Sequence, residues 1–322
     1  GKKFNMEQSF HRFGFKAMGS FCEVQLYHTS RIEAKRISQL LAGEAARIER
    51  KYSRLRTDSV LSDINFSAGA KLGIKIDSET KSLFELARTC FEKSDGMIDI
   101  TAGILNRIWN FHKGKVPEQK AIDALLPRIG FDRVKWNRSR LYLPHGMEID
   151  FGGLVKQYAS DSVARRGRDL GIKHGLVNLG GDFAVIGAQP GNKPWQVGVA
   201  NPEDHATLIA KIPLAHGGLA TSGDFDRCFK HEGKNYSLML NPKTGWPCSG
   251  LRAVCVAANQ CATAGSIAAI AMYKAEADGI EFLEQAALPY VCMNAAGRIA
   301  GPHVSSEPAP QADAEPIEAA GN

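Results

Sequence analysis

One stretch, Met147–Tyr158, constrains the fold of this chain more than any other. It has the pattern of a short apolar strand ending at Asp150, a turn at Gly152-Gly153 and a helix with Lys156 in its first turn. Glycine lacks a Cβ, so the backbone here can approach a ligand closely. The helix start offers free N–H groups and a partial positive charge, which suit a phosphate. The stretch therefore predicts a phosphate site, although the same residues also fit an ordinary strand–turn–helix junction.

The size and charge of the chain exclude several classes of protein. At 322 residues it can hold one large domain or two ordinary ones, with an ample core. Hydrophobic residues make up 44% and charged residues 23%, as in soluble globular proteins. The formal net charge of +6 is modest, and basic and aromatic residues are not interleaved in one patch, which argues against nucleic-acid binding. No apolar stretch in the sequence has the length of a membrane span.

The cysteines indicate a reducing compartment. The seven of them form no CxxC pair and no metal-ligand spacing, and the odd number argues against a complete disulfide framework. We therefore expect buried thiols and a cytoplasmic location for the chain as given. A signal or lipoprotein segment removed ahead of Gly1 would instead indicate the periplasm.

Alternating and helix-periodic segments follow one another along the chain, which favours an α+β fold. The alternation predicts a strand over 13–27, broken at Gly19, and a strand over 176–187 with a glycine pair in its middle. Periodic apolar residues and capping side chains predict helices over 31 to about 55, after Asp77-Ser78, and over 263–273.

The ends of the chain differ in composition from its middle. Residues 1–12 are predicted to be a flexible end, and 13–300 to form one domain. The Pro/Ala/Glu-rich segment 301–322 has almost no apolar side chains to bury, so we expect a disordered tail there.

Short motifs form an ordered set along the chain. Each is weak alone, and together they cover roughly residues 13–295: Ala17–Ser20, Asp58–Asn65, Gly96–Gly103 with Trp109, Ile149–Asp161, Val177–Asp182, Pro194-Trp195, Ala220–Gly223 and Asn241–Gly245. In this order the set resembles the ApbE family of FAD:protein FMN transferases. The resemblance implies an ApbE-like, T-fold-related α+β architecture with largely antiparallel sheets flanked by helices.

The resemblance also implies a reaction and its participants. Members of the family split FAD and attach its FMN half through a phosphoester to a threonine or serine of an acceptor protein, releasing AMP. FAD is then the donor substrate, Mg²⁺ the implied metal, and an acceptor protein the implied partner. Positive charge from Lys156, the helix start and the cation would stabilise the transferring phosphoryl group.

Site residues are carried over from the family by position. Those implied to contact the cofactor are Met18, Met97, Ile98, Asp99, Asp150, Lys156 and Leu240. Asp150 and Lys156 are also the catalytic candidates, and the metal positions are Gly153, Gly265 and Ala269. Other interpretations stay open: Met18 and Ile98 also fit a hydrophobic core, and Asp99 with Thr101 could simply cap the helix that follows.

The chain departs from the family pattern at several of these positions. Leu238 stands where the family has a histidine, Asn241 where it has an aspartate, and Gln157 where a glycine is common. Gly265 and Ala269 replace an aspartate and a threonine, and neither can offer Mg²⁺ a side-chain oxygen. Substitutes could come from Asp224, Asp226, His231 or Ser266.

These losses bear on turnover more than on FAD affinity, and they keep other functions open. One alternative is a protein that stores, delivers or senses FAD without transferring it. The other is an FAD pyrophosphatase, which would release AMP and FMN to water and need the same metal. A serine hydrolase built on Thr221-Ser222-Gly223 lacks a histidine at a suggestive spacing.

Overall fold

A computed structural model describes residues 7–110, 113–223, 228–237, 239–311 and 313–320 of the protein. Its helices are α1 (Arg31–Tyr52), α2 (Val60–Phe66), α3 (Ser78–Lys93), α4 (Gln119–Leu125), α5 (Gly153–Asp169), α6 (Cys261–Tyr273) and α7 (Glu276–Ala286). Its strands are β1 (Ser9–Ala17), β2 (Ser20–His28), β3 (Ile74–Lys75), β4 (Lys135–Trp136), β5 (Arg140–Tyr142), β6 (Gly175–Leu179), β7 (Asp182–Gly187), β8 (Trp195–Asn201), β9 (Asp204–Leu214), β10 (Gly218–Ser222), β11 (Cys228–His231), β12 (Lys234–Ser237), β13 (Ala253–Ala258), β14 (Tyr290–Met293), β15 (Ile299–Ala300), β16 (Val304–Pro308) and β17 (Glu315–Pro316).

A nine-stranded sheet is the centre of the fold, with the strand order β15-β14-β13-β10-β7-β6-β2-β1-β17. Its neighbouring strands pair antiparallel, except that β1 and β17 are parallel. Smaller sheets are formed by β16-β9-β8, by β3-β5-β4 and by β11-β12. The α+β class and the largely antiparallel pairing expected from the sequence are confirmed.

Both faces of the central sheet are covered, and the side-chain alternation of its strands explains why. Val254 and Val256 of β13 point into the core shared with α1, α5 and α6. Cys255 lies between them and joins Trp195 of β8 and Ile212 of β9 in a second core. Because successive side chains of a strand point to opposite faces, one strand supplies both cores.

The helices begin where the sequence provides capping side chains. Ser30 accepts a hydrogen bond from the Glu33 N–H at 3.2 Å before α1, and Asp77 accepts one from the Thr80 N–H at 2.8 Å before α3. These caps satisfy backbone donors that the first helical turn leaves free. The predicted helix over 31 to about 55 is therefore confirmed, with its end at Tyr52.

An ionic network ties α1, α3 and α5 together. Arg47 on α1 contacts Glu79 on α3 at 2.8 Å, and Lys51 contacts the same carboxylate at 2.7 Å. Tyr158 on α5 donates its hydroxyl to Glu79 at 2.7 Å. Hydrogen bonding from Arg47 holds the pKa of Glu79 well below its usual range. The network thus fixes α5, whose N-terminus contains the candidate phosphate site.

Two segments predicted as single strands are hairpins instead. The segment 13–27 turns at Met18-Gly19, with φ of 53° and 69°, and 176–187 turns at Gly180-Gly181, with φ of 61° and 94°. Two-residue turns of this kind match the twist of the flanking strands, so the hydrophobic alternation continues almost unbroken through them. Since Cys22 of β2 pairs with Leu179 of β6, both turns lie at the same end of the sheet.

The segment beyond residue 301 also differs from its prediction. Its β16 pairs with β9, and its β17 pairs with β1 through Phe13 and Glu315. Ile317 is buried in the main core, and the Ala320 N–H donates to the Gln39 carbonyl at 3.0 Å. The prediction of a disordered tail is wrong for these residues, because backbone pairing along sheet edges holds a segment that has few apolar side chains. At the other end, β1 begins at Ser9, inside the end that was predicted to be flexible.

None of the helices described is long and apolar enough to cross a membrane. The cysteine thiols described in the structure are free, and all but Cys248 are buried. Burial raises the pKa of Cys22 and Cys248 to about 11. These thiols therefore behave as small apolar side chains, as the sequence predicted.

Candidate active site

The two glycine-containing turns meet the N-terminal part of α5 at one end of the central sheet. The Lys156 ammonium donates to the Gly180 carbonyl at 3.3 Å. A Cβ on Gly180 would lie 2.7 Å from the Ser20 Cβ and 3.5 Å from the Lys156 Nζ, so the turns and the lysine are in close contact. Only glycine leaves this space at position 180, where φ is also positive.

A buried carboxylate holds the lysine in place. Asp182 is 1% exposed, and its Oδ2 lies 3.6 Å from the Lys156 Nζ. Its Oδ1 accepts a hydrogen bond from the Thr221 N–H at 3.2 Å. The Lys156 side chain remains 20% exposed, so its ammonium can still meet a ligand in front of the turns.

Met18, a predicted cofactor contact, occupies the first of these turns. Its N–H donates to the Glu49 carboxylate of α1 at 2.7 Å, and its side chain is partly buried against the main core. A positive φ is uncommon for a residue with a side chain and needs support from its surroundings. Glu49 supplies that support, so the turn beside Lys156 is held rigidly.

Asp150 lies at the other side of the α5 N-terminus. Its Oδ1 accepts from the Gly152 N–H at 2.9 Å, and its Oδ2 accepts from the Asn106 amide at 3.2 Å and lies 3.5 Å from the Arg54 Nε. A Cβ on Gly103 would lie 2.4 Å from the Asp150 Cβ, so glycine is required there. The side chain is 24% exposed, and its carboxylate faces donors on three elements.

Asn65 fixes the strand-like segment that leads to Asp150. Its amide donates to the Ile149 carbonyl at 3.0 Å, and its Oδ1 accepts from the Ile149 N–H at 2.7 Å. The Asp150 N–H in turn donates to the Ile100 carbonyl at 2.9 Å. These bonds place Asp150 relative to the segment that follows Asp99.

Asp99 acts as a cap in this structure. Its Oδ1 accepts from the Thr101 N–H at 2.8 Å and from the Thr101 hydroxyl at 2.6 Å, and its Oδ2 accepts from the Phe131 N–H at 3.2 Å. Burial raises the pKa of this carboxyl group. The capping interpretation left open by the sequence is therefore the one that the geometry supports. Met97 and Ile98 precede it and are partly buried, and the Ile98 N–H donates to the Ser94 hydroxyl at 2.8 Å.

A cavity of about 610 Å³ lies beside this segment. Its walls include the ring of Phe91, the apolar side chains of Leu126, Ile129 and Pro242, and the amine-bearing chain of Lys243. Gly96 and Asp99 form part of the same wall. Flat apolar groups with one end in water suit such a surface.

Leu240 packs against a third core that also borders the cavity. This core is built on Leu105, Trp109 and Ile122, and Leu126 and Ile129 of the cavity wall pack against it too. The Trp109 indole donates to the Gly245 carbonyl at 2.9 Å, close to the end of the 3-10 helix Ile100–Arg107.

The predicted metal positions Gly153 and Gly265 come together around Gln157. A Cβ on Gly265 would lie 2.0 Å from the Gln157 Cδ, and one on Gly153 would lie 3.6 Å from the Gln157 Nε2. Ala269 lies one turn further along the same side of α6. Among the residues described, no group of three or more His, Cys, Asp or Glu side chains could hold a metal ion.

The structure gives little support to the remaining candidate positions. Leu238, Asp224 and Asp226 lie outside the described residues. His231 is at the turn between β11 and β12, with its Nε2 3.8 Å from a carboxylate oxygen of Glu232. Ser266 uses its hydroxyl on the Ala262 carbonyl at 2.8 Å and lies 3.0 Å from the Cys90 thiol.

Comparison with known proteins shows the family of this chain. The family model described as "ApbE family" matches residues 18–292. The chain belongs to the ApbE family. Among solved structures, the ApbE protein of Thermotoga maritima superposes with a TM-score of 0.82 at 27% identity, covering 91% of this chain and 97% of that one.

Curated relatives of this ApbE-family chain include two proteins named FAD:protein FMN transferase. The Haemophilus influenzae protein is 26% identical over 211 residues, which is 62% of this chain and 61% of that protein. A Klebsiella pneumoniae protein is 28% identical over 236 residues, 71% of each chain. The match therefore spans about two thirds of the length of each relative.

The sequence analysis missed four residues that shape the site. Arg54, Asn65 and Asn106 position Asp150 or the segment before it, and Asp182 positions Lys156. Asn65 and Asp182 did fall inside motifs that carried the ApbE resemblance, without an assigned role. A polar residue at the end of such a motif could have indicated a role in the site. No local sequence pattern indicates such a role for Arg54 or Asn106.

Proposed function

We propose that this chain is an FAD:protein FMN transferase that acts on a threonine or serine of an acceptor protein. The observation that carries the proposal is the position of Lys156, at the N-terminal part of α5 and in contact with the Gly180-Gly181 turn. A helix N-terminus, a glycine turn and a lysine together offer N–H donors and positive charge to a diphosphate. Curated relatives of this chain have this activity in their names.

The proposed reaction is a phosphoryl transfer. The hydroxyl oxygen of the acceptor attacks the phosphorus on the FMN side of the FAD diphosphate. The bond from that phosphorus to the bridging oxygen breaks, and the bridging oxygen leaves with AMP. We assign Lys156 to the diphosphate charge and Asp150 to the hydroxyl proton, because both lie at the N-terminal end of α5 and both side chains are partly exposed.

The cavity beside Gly96 supports the binding of a ring of FAD. Phe91, Leu126 and Pro242 give it apolar walls, and its charged lining residues are Lys243 and the acidic residues Glu92, Asp95 and Asp99. A ring system stacked there would bury apolar area while its polar edge stays near water. Asp99 then acts as part of the cavity wall, and Met97 and Ile98 join it in sequence to Gly96 of the same wall.

The family resemblance implies Mg²⁺, but the described residues do not fit this cation. No group of three or more His, Cys, Asp or Glu side chains that could hold a metal is found among them, and Gly153 and Gly265 have no side-chain oxygen. The buried carboxamide of Gln157 fills the space beside Gly265. Positive charge for the diphosphate would therefore come from Lys156 and the start of α5.

A transfer assay tests the proposal. The protein is incubated with FAD, Mg²⁺ and a protein that carries a flavinylation site, and the acceptor is analysed by mass spectrometry for an FMN-sized gain. Lys156→Met should abolish the gain, whereas Lys81→Met, which removes an exposed lysine paired with Glu85 on α3, should leave it unchanged. Tight FAD binding with no gain on the acceptor would favour an FAD-storing or FAD-sensing protein. AMP and FMN released without an acceptor would favour a pyrophosphatase.

A further inference from the structure

Arg54 lies beside Asp150 with most of its hydrogen-bonding capacity unused. It stands between α1 and α2, its side chain is 48% exposed, and its Nε lies 3.5 Å from the Asp150 Oδ2. That distance is longer than a usual hydrogen bond. Among the residues described, Asp150 is the only carboxylate in ionic contact with Arg54. A guanidinium carries several N–H donors, so this one can bind a further anion.

Two other exposed arginines bind their carboxylates more fully. Arg56 lies in the same segment and is 47% exposed, and it donates to both oxygens of Asp58 at 2.9 Å. Arg36 on α1 donates to both oxygens of Glu33 at 2.9–3.2 Å. Arg54 is as exposed as Arg56 but has no such bidentate partner. The planar fork of a guanidinium suits a phosphate as well as a carboxylate.

The position of Arg54 makes a phosphate the fitting anion. The carboxylate of Asp150 that Arg54 contacts also accepts from the N–H of Gly152, the residue before α5. Arg54 is therefore separated from the helix N-terminus only by that carboxylate, and a helix N-terminus favours phosphate. Lys156 stands in the first turn of the same helix. Two partly exposed cationic side chains thus lie at this end of α5, as a diphosphate with charge on both phosphoryl groups requires.

We infer that Arg54 is a catalytic residue, whose guanidinium binds the FAD diphosphate and stabilises the charge of the transferring phosphoryl group. The inference rests on the proposed function, because that function brings the diphosphate to α5. No covalent bond forms or breaks at Arg54. Its N–H groups donate to non-bridging phosphate oxygens while the bridging oxygen leaves with AMP. An arginine supplied by the enzyme's own chain has this effect in other phosphoryl transfers.

A double-mutant cycle on FAD affinity tests the inference. Flavin fluorescence in EDTA gives the affinity of the parent chain, Arg54→Met, Asp150→Asn and the double variant. Arg54→Met should weaken FAD binding at least about tenfold in the parent and also in the Asp150→Asn background, because the guanidinium contacts the diphosphate itself. Arg54→Lys keeps the charge without the fork and should fall between the parent and Arg54→Met. The control Arg56→Met should match the parent.

Turnover tests the catalytic part of the inference. In the transfer assay at saturating FAD, Arg54→Met should lower kcat at least about tenfold, whereas Arg56→Met should leave it unchanged. An unchanged kcat in Arg54→Met would overturn the catalytic role. Because the Arg54 side chain is exposed on a connecting segment, we expect both variants to fold, and urea denaturation checks this.

The outcomes separate this inference from the proposed function. If Arg54→Met weakened FAD binding in the parent but not in the Asp150→Asn background, Arg54 would only position Asp150 and the inference would be wrong. Parent-like affinity and turnover in Arg54→Met, with FMN still transferred, would overturn the inference and leave the proposed function standing. A parent chain that transfers no FMN would overturn both.

Discussion

Gly265→Ala is the substitution whose effect the structure fixes most sharply. The new Cβ would lie 2.0 Å from the Gln157 Cδ, whereas carbon atoms in contact are about 3.5–4.0 Å apart. Overpacking of this kind costs about 1–3 kcal/mol, against about 1 kcal/mol gained by replacing a helical glycine with alanine. We therefore expect a net loss of up to about 2 kcal/mol in the free energy of unfolding.

The effect of Gly265→Ala on the free energy of unfolding should become stabilising once the glutamine is removed. In a Gln157→Ala background the space is free, so Gly265→Ala should stabilise the protein by about 1 kcal/mol. Urea denaturation of the four proteins of this cycle gives the coupling energy, which we expect at about 1–3 kcal/mol, the cost of the overpacking alone. Gly279→Ala is the control, because its Cβ would meet the Ala271 carbonyl and not Gln157, and its effect should be the same in both backgrounds. Equal effects of Gly265→Ala in both backgrounds would refute the placement of the amide.

Three further substitutions probe the site and its scaffold. Lys156→Met should weaken FAD binding at least about tenfold, as measured by flavin fluorescence. It should also lower the free energy of unfolding by about 1–3 kcal/mol in urea denaturation, because the buried carboxylate of Asp182 loses its contact with the ammonium. Asn65→Ala should lower the free energy of unfolding by about 1–3 kcal/mol, because the Ile149 backbone loses both bonds, and urea denaturation measures the loss. Glu79→Gln should cost about 2 kcal/mol at pH 7. The pKa of the Glu79 carboxyl is lowered in the folded state, so its contribution to stability is present above the unfolded pKa of about 4.3. That contribution is lost progressively as pH falls from there towards the folded pKa. In denaturation experiments from about pH 7 to about pH 3, the free energies of unfolding of parent and variant should therefore converge.

The metal positions give one more prediction. The pair Gly265→Asp and Ala269→Thr should fail to raise Mg²⁺-dependent transfer while Gln157 occupies the space, because the new side chain collides with its amide. Adding Gln157→Gly should relieve the collision and raise transfer. Steady-state rates over a range of Mg²⁺ concentrations compare the two variants, and a rate gain in the pair alone would contradict the steric argument.

Much of the fold was predictable because its signals are local. The α1 and α3 boundaries follow from apolar periodicity and from caps at Ser30 and Asp77. The start of α5, where a phosphate site is proposed, follows from the glycine pair at 152 and 153. Local sequence preferences of this kind agree with the overall fold, so they predict it correctly.

What the sequence did not predict depends on contacts between distant segments. The hairpin turns at Met18 and Gly180 come to the same end of the sheet because β2 pairs with β6. The strands beyond residue 301 form because the edges of existing sheets accept their backbone groups. The Gln157–Gly265 contact joins positions more than one hundred residues apart, so neither residue signals the other.

Transfer of FMN to a protein is the central claim, and intact-mass spectrometry of an acceptor measures it most directly. With FAD and Mg²⁺ present, the parent chain should add one FMN-sized mass to a flavinylation-site protein and release an equal amount of AMP. The added mass should disappear when the acceptor threonine or serine is replaced by alanine. An unmodified acceptor in the presence of FAD-loaded, folded protein would contradict the transferase assignment.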